Sequence, residues 1–193
     1  MRTILGLTGP TGSGKSTAAK LALQKGIQVI DCDKVAREAV EKGSKGLEAL
    51  TNTFGKEILN DDGSLNRKKL AAVAFKDNAG TKLLNETILP FIVELVKLKI
   101  NSQKVLLDAP TLFESKLDKI CNYTFAILAD DSVRLNRIKE RDNINENDAL
   151  LRMNAGKNDD FYKNCANYVV YNNGDLKDFI LKVDVVLDNV FGG

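Results

Sequence analysis

The 193-residue chain contains no histidine. That absence removes every mechanism built on an imidazole base or metal ligand, and leaves carboxylates, lysines and arginines to carry any chemistry. Cysteine is scarce. Cys32, Cys121 and Cys165 lie far apart and form no Cys-x-x-Cys pair, so neither a disulfide framework nor a zinc site is indicated and reduced thiols are expected. No apolar run approaches the ~18 residues of a membrane span. Met1-Arg2 leads directly into an apolar segment and a glycine loop instead of a signal-peptide pattern, so a cytoplasmic location with no membrane partner is expected. An excess of either charge is missing too. The 28 Lys and Arg against 26 Asp and Glu leave a net charge of +2, which argues against a nucleic-acid partner and favours a small molecule. No protein partner is implied. With 44% hydrophobic and 28% charged residues, the chain can bury a substantial core as one domain, or as one domain with an insertion.

What the chain does have is Gly9-Pro10-Thr11-Gly12-Ser13-Gly14-Lys15-Ser16, which fits the phosphate-binding pattern G-x-x-x-x-G-K-[ST]. The glycines let the backbone turn tightly and point N–H groups inward at phosphates. Lys15 reaches the β and γ oxygens, and the Ser16 hydroxyl can ligate Mg²⁺. The apolar stretch Thr3-Ile4-Leu5-Gly6-Leu7-Thr8 precedes the loop. The helix formers Thr17-Ala18-Ala19-Lys20-Leu21-Ala22-Leu23-Gln24-Lys25 follow it, and Gly26 stands where a helix stop belongs. Strand, loop and helix occur in the order the motif requires, so the chain is expected to bind a nucleoside triphosphate.

Further β-rich runs occur at Gln28-Val29-Ile30, Val105-Leu106-Leu107, Phe125-Ala126-Ile127-Leu128 and Tyr168-Val169-Val170-Tyr171. With residues 3–8 they make five strands. Their alternation with helical patterns predicts an α/β fold, a five-stranded parallel sheet covered by helices on both faces. More than 70 residues separate Ile30 from Val105, far beyond an ordinary crossover. The expected organisation is a single domain with a core of residues 1–36 and 99–193 and a helical substrate-binding insertion over 37–98. Leu47, Leu50 and Phe54 recur at helical spacing, and Asn66 can cap a helix carrying Leu70, Val73 and Ala74. A further helix pair is expected around Leu83-Leu84 and Phe91-Ile92-Leu95-Val96, with Pro90 kinking or dividing it.

Four more places can carry chemistry. Asp31 and Asp33 end the second strand; if strand geometry persists, both project to one side and either can take a proton from a hydroxyl attacking the γ-phosphate, while one of them can equally cap the next helix. Asp108 follows an apolar strand, as does an acid that supports Mg²⁺ near a phosphate loop. Arg134, Arg137 and Arg141 recur at i, i+3, i+7, a row that is either solvated or a clamp on phosphates, and the polar segment that follows suits a lid over 134–158. Asn172-Asn173-Gly174 forms a turn after the last strand.

Together these residues resemble the dephospho-CoA kinase family, over nearly the whole chain. The resemblance rests on Gly6-Leu7-Thr8-Gly9, on Gly12-Ser13-Gly14-Lys15-Ser16-Thr17, on Val29-Ile30-Asp31-Cys32-Asp33, and on Phe54-Gly55 followed by Asp62-Gly63-Ser64-Leu65-Asn66-Arg67. It continues through Leu84-Asn85, Pro90, Pro110, Glu114, Arg141-Asp142 and residues 169–174. The Asp-x-Asp strand end with Asp-Gly-x-Leu-Asn-Arg is much more selective than the loop alone. The resemblance implies transfer of the γ-phosphoryl of Mg·ATP to the 3′-hydroxyl of dephospho-CoA. It implies that residues Gly12, Ser13, Gly14, Lys15, Ser16 and Thr17 bind ATP, with Ser16 on Mg²⁺, that Asp33 is the base, and that Lys15 and Arg141 act on the phosphates. It places Asn172 and Asn173 at the adenine-side turn and the coenzyme moiety on the helical insertion. The chain departs from the family's frequent His-Pro at Leu89-Pro90, from a leucine at Thr111, from glutamine near Ala155-Gly156 and from aspartate at Tyr171.

Two other readings share the loop. Another nucleotide or small-molecule kinase would differ in its acceptor. A nucleotide-dependent switch would use a D-x-x-G segment, which Asp77-Asn78-Ala79-Gly80 spells, but no Asn-Lys-x-Asp follows to read guanine and the segment lies in a helical region.

Overall fold

Continuous runs of Leu, Ile, Val and Phe suit strands buried on both faces, and the structure, a computed structural model, describes residues 2–192 with strands at all five expected places. They are β1 (Thr3–Thr8), β2 (Gln28–Asp31), β3 (Lys104–Asp108), β4 (Tyr123–Leu128) and β5 (Tyr168–Tyr171). The helices are α1 (Lys15–Gln24), α2 (Cys32–Glu38), α3 (Lys45–Phe54), α4 (Arg67–Ala74), α5 (Asn78–Lys99), α6 (Asp131–Asp142), α7 (Glu146–Asn154), α8 (Asp159–Cys165) and α9 (Leu176–Phe191). The chain divides into two units, one formed by residues up to 30 together with those from 101 onward, the other by residues 31–100.

In the first unit the sheet order is β2-β3-β1-β4-β5. The pairs β1–β3, β1–β4 and β4–β5 are parallel, with Leu7 opposite Asp108, Thr8 opposite Ala126 and Leu128 opposite Tyr171. Leu5, Leu7, Phe125 and Ile127 pack with Ala18 and Ala22 of α1 and with Phe179, Val183 and Leu187 of α9. Ala126 and Leu128 pack with Tyr162 of α8, while Ile138 of α6 meets Ala149 and Met153 of α7. After β1 the chain goes first to the β2–β3 side and later to the β4–β5 side, so the carboxyl end of β1 is a topological switch point, where open α/β sheets bind their ligands. The glycine loop leaves the sheet there.

The second unit is helical. Ser44, Asn66 and Asp77 cap α3, α4 and α5 by accepting from the N–H groups of Leu47, Lys69 and Gly80 at 3.1, 3.0 and 2.7 Å. Val40, Leu50, Ile58, Leu70 and Ala74 form its core, with Leu84 and Ile88 packed against them. The expected pair of helices about Pro90 is instead one 22-residue helix, α5, with the proline inside it. An interior proline removes one helical donor and costs about 3 kcal/mol. Here Leu84, Ile88, Ile92 and Val96 recur every fourth residue and bury the same side of the helix above and below Pro90, which offsets that loss. The Asp77-Asn78-Ala79-Gly80 segment is the capped start of α5.

Candidate active site

The loop owes its shape to glycine. Gly12 has φ +82°, and a Cβ there would lie 3.0 Å from the Arg134 carbonyl oxygen; Gly14 has φ +106°, and a Cβ there would lie 2.3 Å from Asn172 Nδ2. Side chains rarely adopt such backbone angles, and neither position has room for one. Gly14 is the N-cap of α1, so the first N–H groups of that helix open at the end of the loop, where anions bind. Lys15 Nζ donates to the carbonyls of Gly9 at 2.7 Å and Pro10 at 3.1 Å.

Beyond the carboxyl ends of β1 and β3 lies an open cleft of about 560 Å³. Of the residues singled out in the sequence as candidates for chemistry it is lined by Gly12, Gly14, Lys15, Ser16, Thr17, Asp108, Arg137, Arg141 and Asn172. Three cations facing one carboxylate favour a polyanionic ligand. Asp108 closes β3 and is half-buried.

The other singled-out residues lie elsewhere. Ser13 does not line the cleft; its side chain is fully buried and its hydroxyl has no hydrogen-bond partner among the described residues, so what it can offer a ligand is backbone. Asn173 is also outside the cleft lining, and its Oδ1 accepts from the Asp130 N–H at 2.8 Å. Strand geometry does not persist through the Asp-x-Asp pair, because β2 ends at Asp31 and α2 begins at Cys32. Asp31 Oδ1 caps α2 by accepting from the Lys34 N–H at 2.9 Å, whereas Asp33 is exposed in the first turn of that helix, in the second unit. The pair is thereby split: Asp31 caps α2, and Asp33 stands within its first turn.

The arginine row also divides. Arg137 and Arg141 line the cleft, while Arg134 is buried and donates through Nε to the Thr11 carbonyl at 2.9 Å and through Nη1 to Asp131 at 3.0 Å. A helix rises 1.5 Å per residue, so two arginines seven positions apart share a face but stand about 10 Å apart along it. Sequence spacing reveals the face and not what lies opposite each turn. Arg137 donates to the Gly12 carbonyl at 3.4 Å and to Asn172 Oδ1 at 3.2 Å, and Asn172 Nδ2 donates to the Ser13 carbonyl at 2.8 Å.

Arg141 grips its own neighbour: Nε and Nη2 donate to the two carboxylate oxygens of Asp142 at 2.7 and 2.9 Å. Arg152, from α7, also donates to Asp142. The Arg141 hydrogen bonds, with the charges of both arginines, hold the Asp142 carboxyl down at about 2, and the same contact raises Arg141. Asn143, at φ +50°, ends α6 and turns the chain toward α7, so the polar segment after Arg141 is a second helix ion-paired to the first.

No group of three or more His, Cys, Asp or Glu side chains suited to a metal exists among the described residues. The Ser16 hydroxyl and the Asp108 carboxylate line the same cleft, and these hard oxygen donors fit Mg²⁺, which keeps waters and takes its other ligands from phosphate. Among the described residues no helix is long and apolar enough to cross a membrane.

Residues 3–178 match the family model described as dephospho-CoA kinase. The dephospho-CoA kinase of Fusobacterium nucleatum is 37% identical over 186 residues, covering 94% of this chain and 95% of that protein. A crystal structure from Thermus thermophilus superimposes with a TM-score of 0.80 at 29% identity, over 99% of each chain. The dephospho-CoA kinase of Campylobacter jejuni shares the fold, with a TM-score of 0.67 at 23% identity over 100% of this chain and 99% of the other. The phosphate loop at the switch point of a five-stranded parallel sheet and the near-complete match to one family agree, and the chain belongs to the dephospho-CoA kinase family.

Proposed function

We propose that this chain transfers the γ-phosphoryl group of ATP to the 3′-hydroxyl of dephospho-CoA, giving coenzyme A and ADP, the final step of coenzyme A biosynthesis. The observation that carries this reading is the match of residues 3–178 to the family, in a chain whose phosphate loop and Arg141 open on one cleft.

In this mechanism the N–H groups of the loop and of the first turn of α1 cradle the phosphates, with Gly12, Ser13 and Gly14 contributing backbone and Thr17 standing in that first turn. Lys15 exchanges the Gly9 and Pro10 carbonyls for β and γ phosphate oxygens, a move its flexible stem allows. Arg141 exchanges Asp142 for the transferring phosphoryl, where its guanidinium stabilises charge spread over the equatorial oxygens. Ser16 and Asp108 hold Mg²⁺, which when bound neutralises charge on the phosphate oxygens. Asp33 takes the proton of the acceptor hydroxyl as its oxygen bonds to the γ phosphorus and the bond to the β–γ bridging oxygen breaks, releasing ADP. Asn172 and Asn173 shape the adenine side of the site, and the helical insertion takes the acceptor. An apolar hollow of about 320 Å³ in the second unit, bordered by Arg37, Arg67 and Asn85 and floored by Leu50, Leu70 and Ile88, offers that acceptor an apolar surface with cationic edges.

The test is incubation with Mg·ATP and dephospho-CoA, following ADP and coenzyme A together, against a panel of nucleoside monophosphates and small alcohols. The expected result is coenzyme A formed in step with ADP for that acceptor alone. ADP release with a different acceptor would discard the substrate, and no acceptor-stimulated turnover would discard the kinase reading.

A further inference from the structure

Three consecutive carbonyls of the phosphate loop are held by side chains of other elements. Thr11 O accepts from Arg134 Nε at 2.9 Å, Gly12 O from Arg137 Nη1 at 3.4 Å and Ser13 O from Asn172 Nδ2 at 2.8 Å. In a planar trans peptide the C=O and the following N–H point in opposite directions. Holding the Thr11 oxygen therefore fixes the direction of the Gly12 N–H, and holding the Ser13 oxygen fixes that of the Gly14 N–H. Both glycines line the cleft, whereas Arg134 does not, so its donor lies on the side of the loop away from the ligand. The middle peptide is turned differently, since the Ser13 N–H donates within the loop to the Pro10 carbonyl at 3.3 Å.

The donors are themselves fixed. Arg134 is 5% exposed and its Nη1 is occupied by Asp131. Asn172 is 6% exposed, and because its Oδ1 accepts from Arg137, its amide nitrogen is left for Ser13. Asn173 ties the start of α6, and with it Arg134, to the turn after β5. A glycine-rich loop left alone samples many backbone states, and an outward-facing carbonyl that swung inward would present a negative dipole to a polyphosphate.

We propose that Arg134, together with Asn172, is a positioning residue for phosphate binding: Arg134 keeps the Thr11 carbonyl turned away from the cleft so that the Gly12 N–H stays aimed into it, and Asn172 fixes the Ser13 carbonyl and with it the direction of the Gly14 N–H. The inference rests on the nucleotide-binding part of the reading above and is independent of the acceptor. It also gives Asn172 a role toward the loop in addition to the adenine side.

The experiment is calorimetric titration of Mg·ATP into the wild type, Arg134→Met, Arg134→Lys and Val183→Ala, with melting temperatures for all four. Val183 is a buried core residue of α9 that does not line the cleft, so its variant reports what lost stability alone does. Arg134→Met is expected to weaken ATP binding about tenfold, the scale of one lost charged hydrogen bond. Arg134→Lys, which keeps a charge and a donor, should fall between it and the wild type, and it carries the test if the methionine variant fails to fold. Val183→Ala should melt lower and bind ATP as the wild type does. Wild-type affinity in both Arg134 variants, or an equal loss in Val183→Ala, overturns the inference while the nucleotide reading stands. A wild type that binds no ATP overturns both.

Discussion

A methyl group at position 14 would meet Asn172 Nδ2 at 2.3 Å while the backbone stayed at φ +106°. Gly14→Ala must therefore either displace the asparagine that holds Ser13 or abandon the loop conformation. Strain of that kind is worth about 1–3 kcal/mol, so ATP affinity should fall on the order of tenfold or more, read by titration. Asp33 makes a different prediction. If it takes the acceptor proton, Asp33→Asn should lower kcat on the order of a hundredfold or more while ATP affinity stays near that of the wild type. Collapse of ATP binding with turnover per bound complex preserved would remove the base assignment. Much of the residue list was legible because a phosphate loop constrains residue type at fixed spacing, and the structure brings Gly12, Gly14, Lys15, Ser16 and Thr17 of that loop to one cleft with Asp108, Arg137, Arg141 and Asn172. The buried role of Arg134 was not legible. Nothing along the sequence says that the Thr11 carbonyl, 123 positions away, lies opposite that turn of α6.

At the scale of elements, α6 and α7 are joined through one carboxylate. Asp142 has its carboxyl held down at about 2 against an ordinary value of 3.8, so it stays ionised in the folded chain. The sign follows from linkage: a depressed acid contributes stability above its unfolded value, and that contribution disappears as pH falls from there through the folded value. The difference in melting temperature between wild type and Asp142→Asn should be constant above about pH 5 and vanish toward pH 2. It should also shrink in high salt, because both arginines are exposed. In the second unit, Asn66→Ala removes the cap of α4 and should cost about 1 kcal/mol in denaturant unfolding. The strands were legible because doubly buried strands read as continuous apolar runs, and the caps because Ser, Asn and Asp precede helices for a local reason. Helix α5 was misread at Pro90, because the local penalty is visible in the sequence and the packing of Leu84, Ile88, Ile92 and Val96 that outweighs it is not.

For the whole molecule, the missing histidines have a consequence. No side chain of ordinary behaviour titrates between pH 6 and 8, and burial pushes the Cys121 thiol up to about 12, out of that range. The melting temperature should therefore change by no more than about 2 °C between pH 6 and 8. A larger transition there would reveal a displaced carboxyl or lysine. The central claim concerns the reaction, and it is tested most directly by where the phosphoryl group goes. ATP labelled in its γ-phosphate is incubated with dephospho-CoA and the chain, and the position of the label is read by phosphorus NMR and mass spectrometry. One labelled phosphate on the 3′-oxygen of the product for each ADP released is the predicted result; label found only in inorganic phosphate, or on any other atom of the acceptor, would contradict the account.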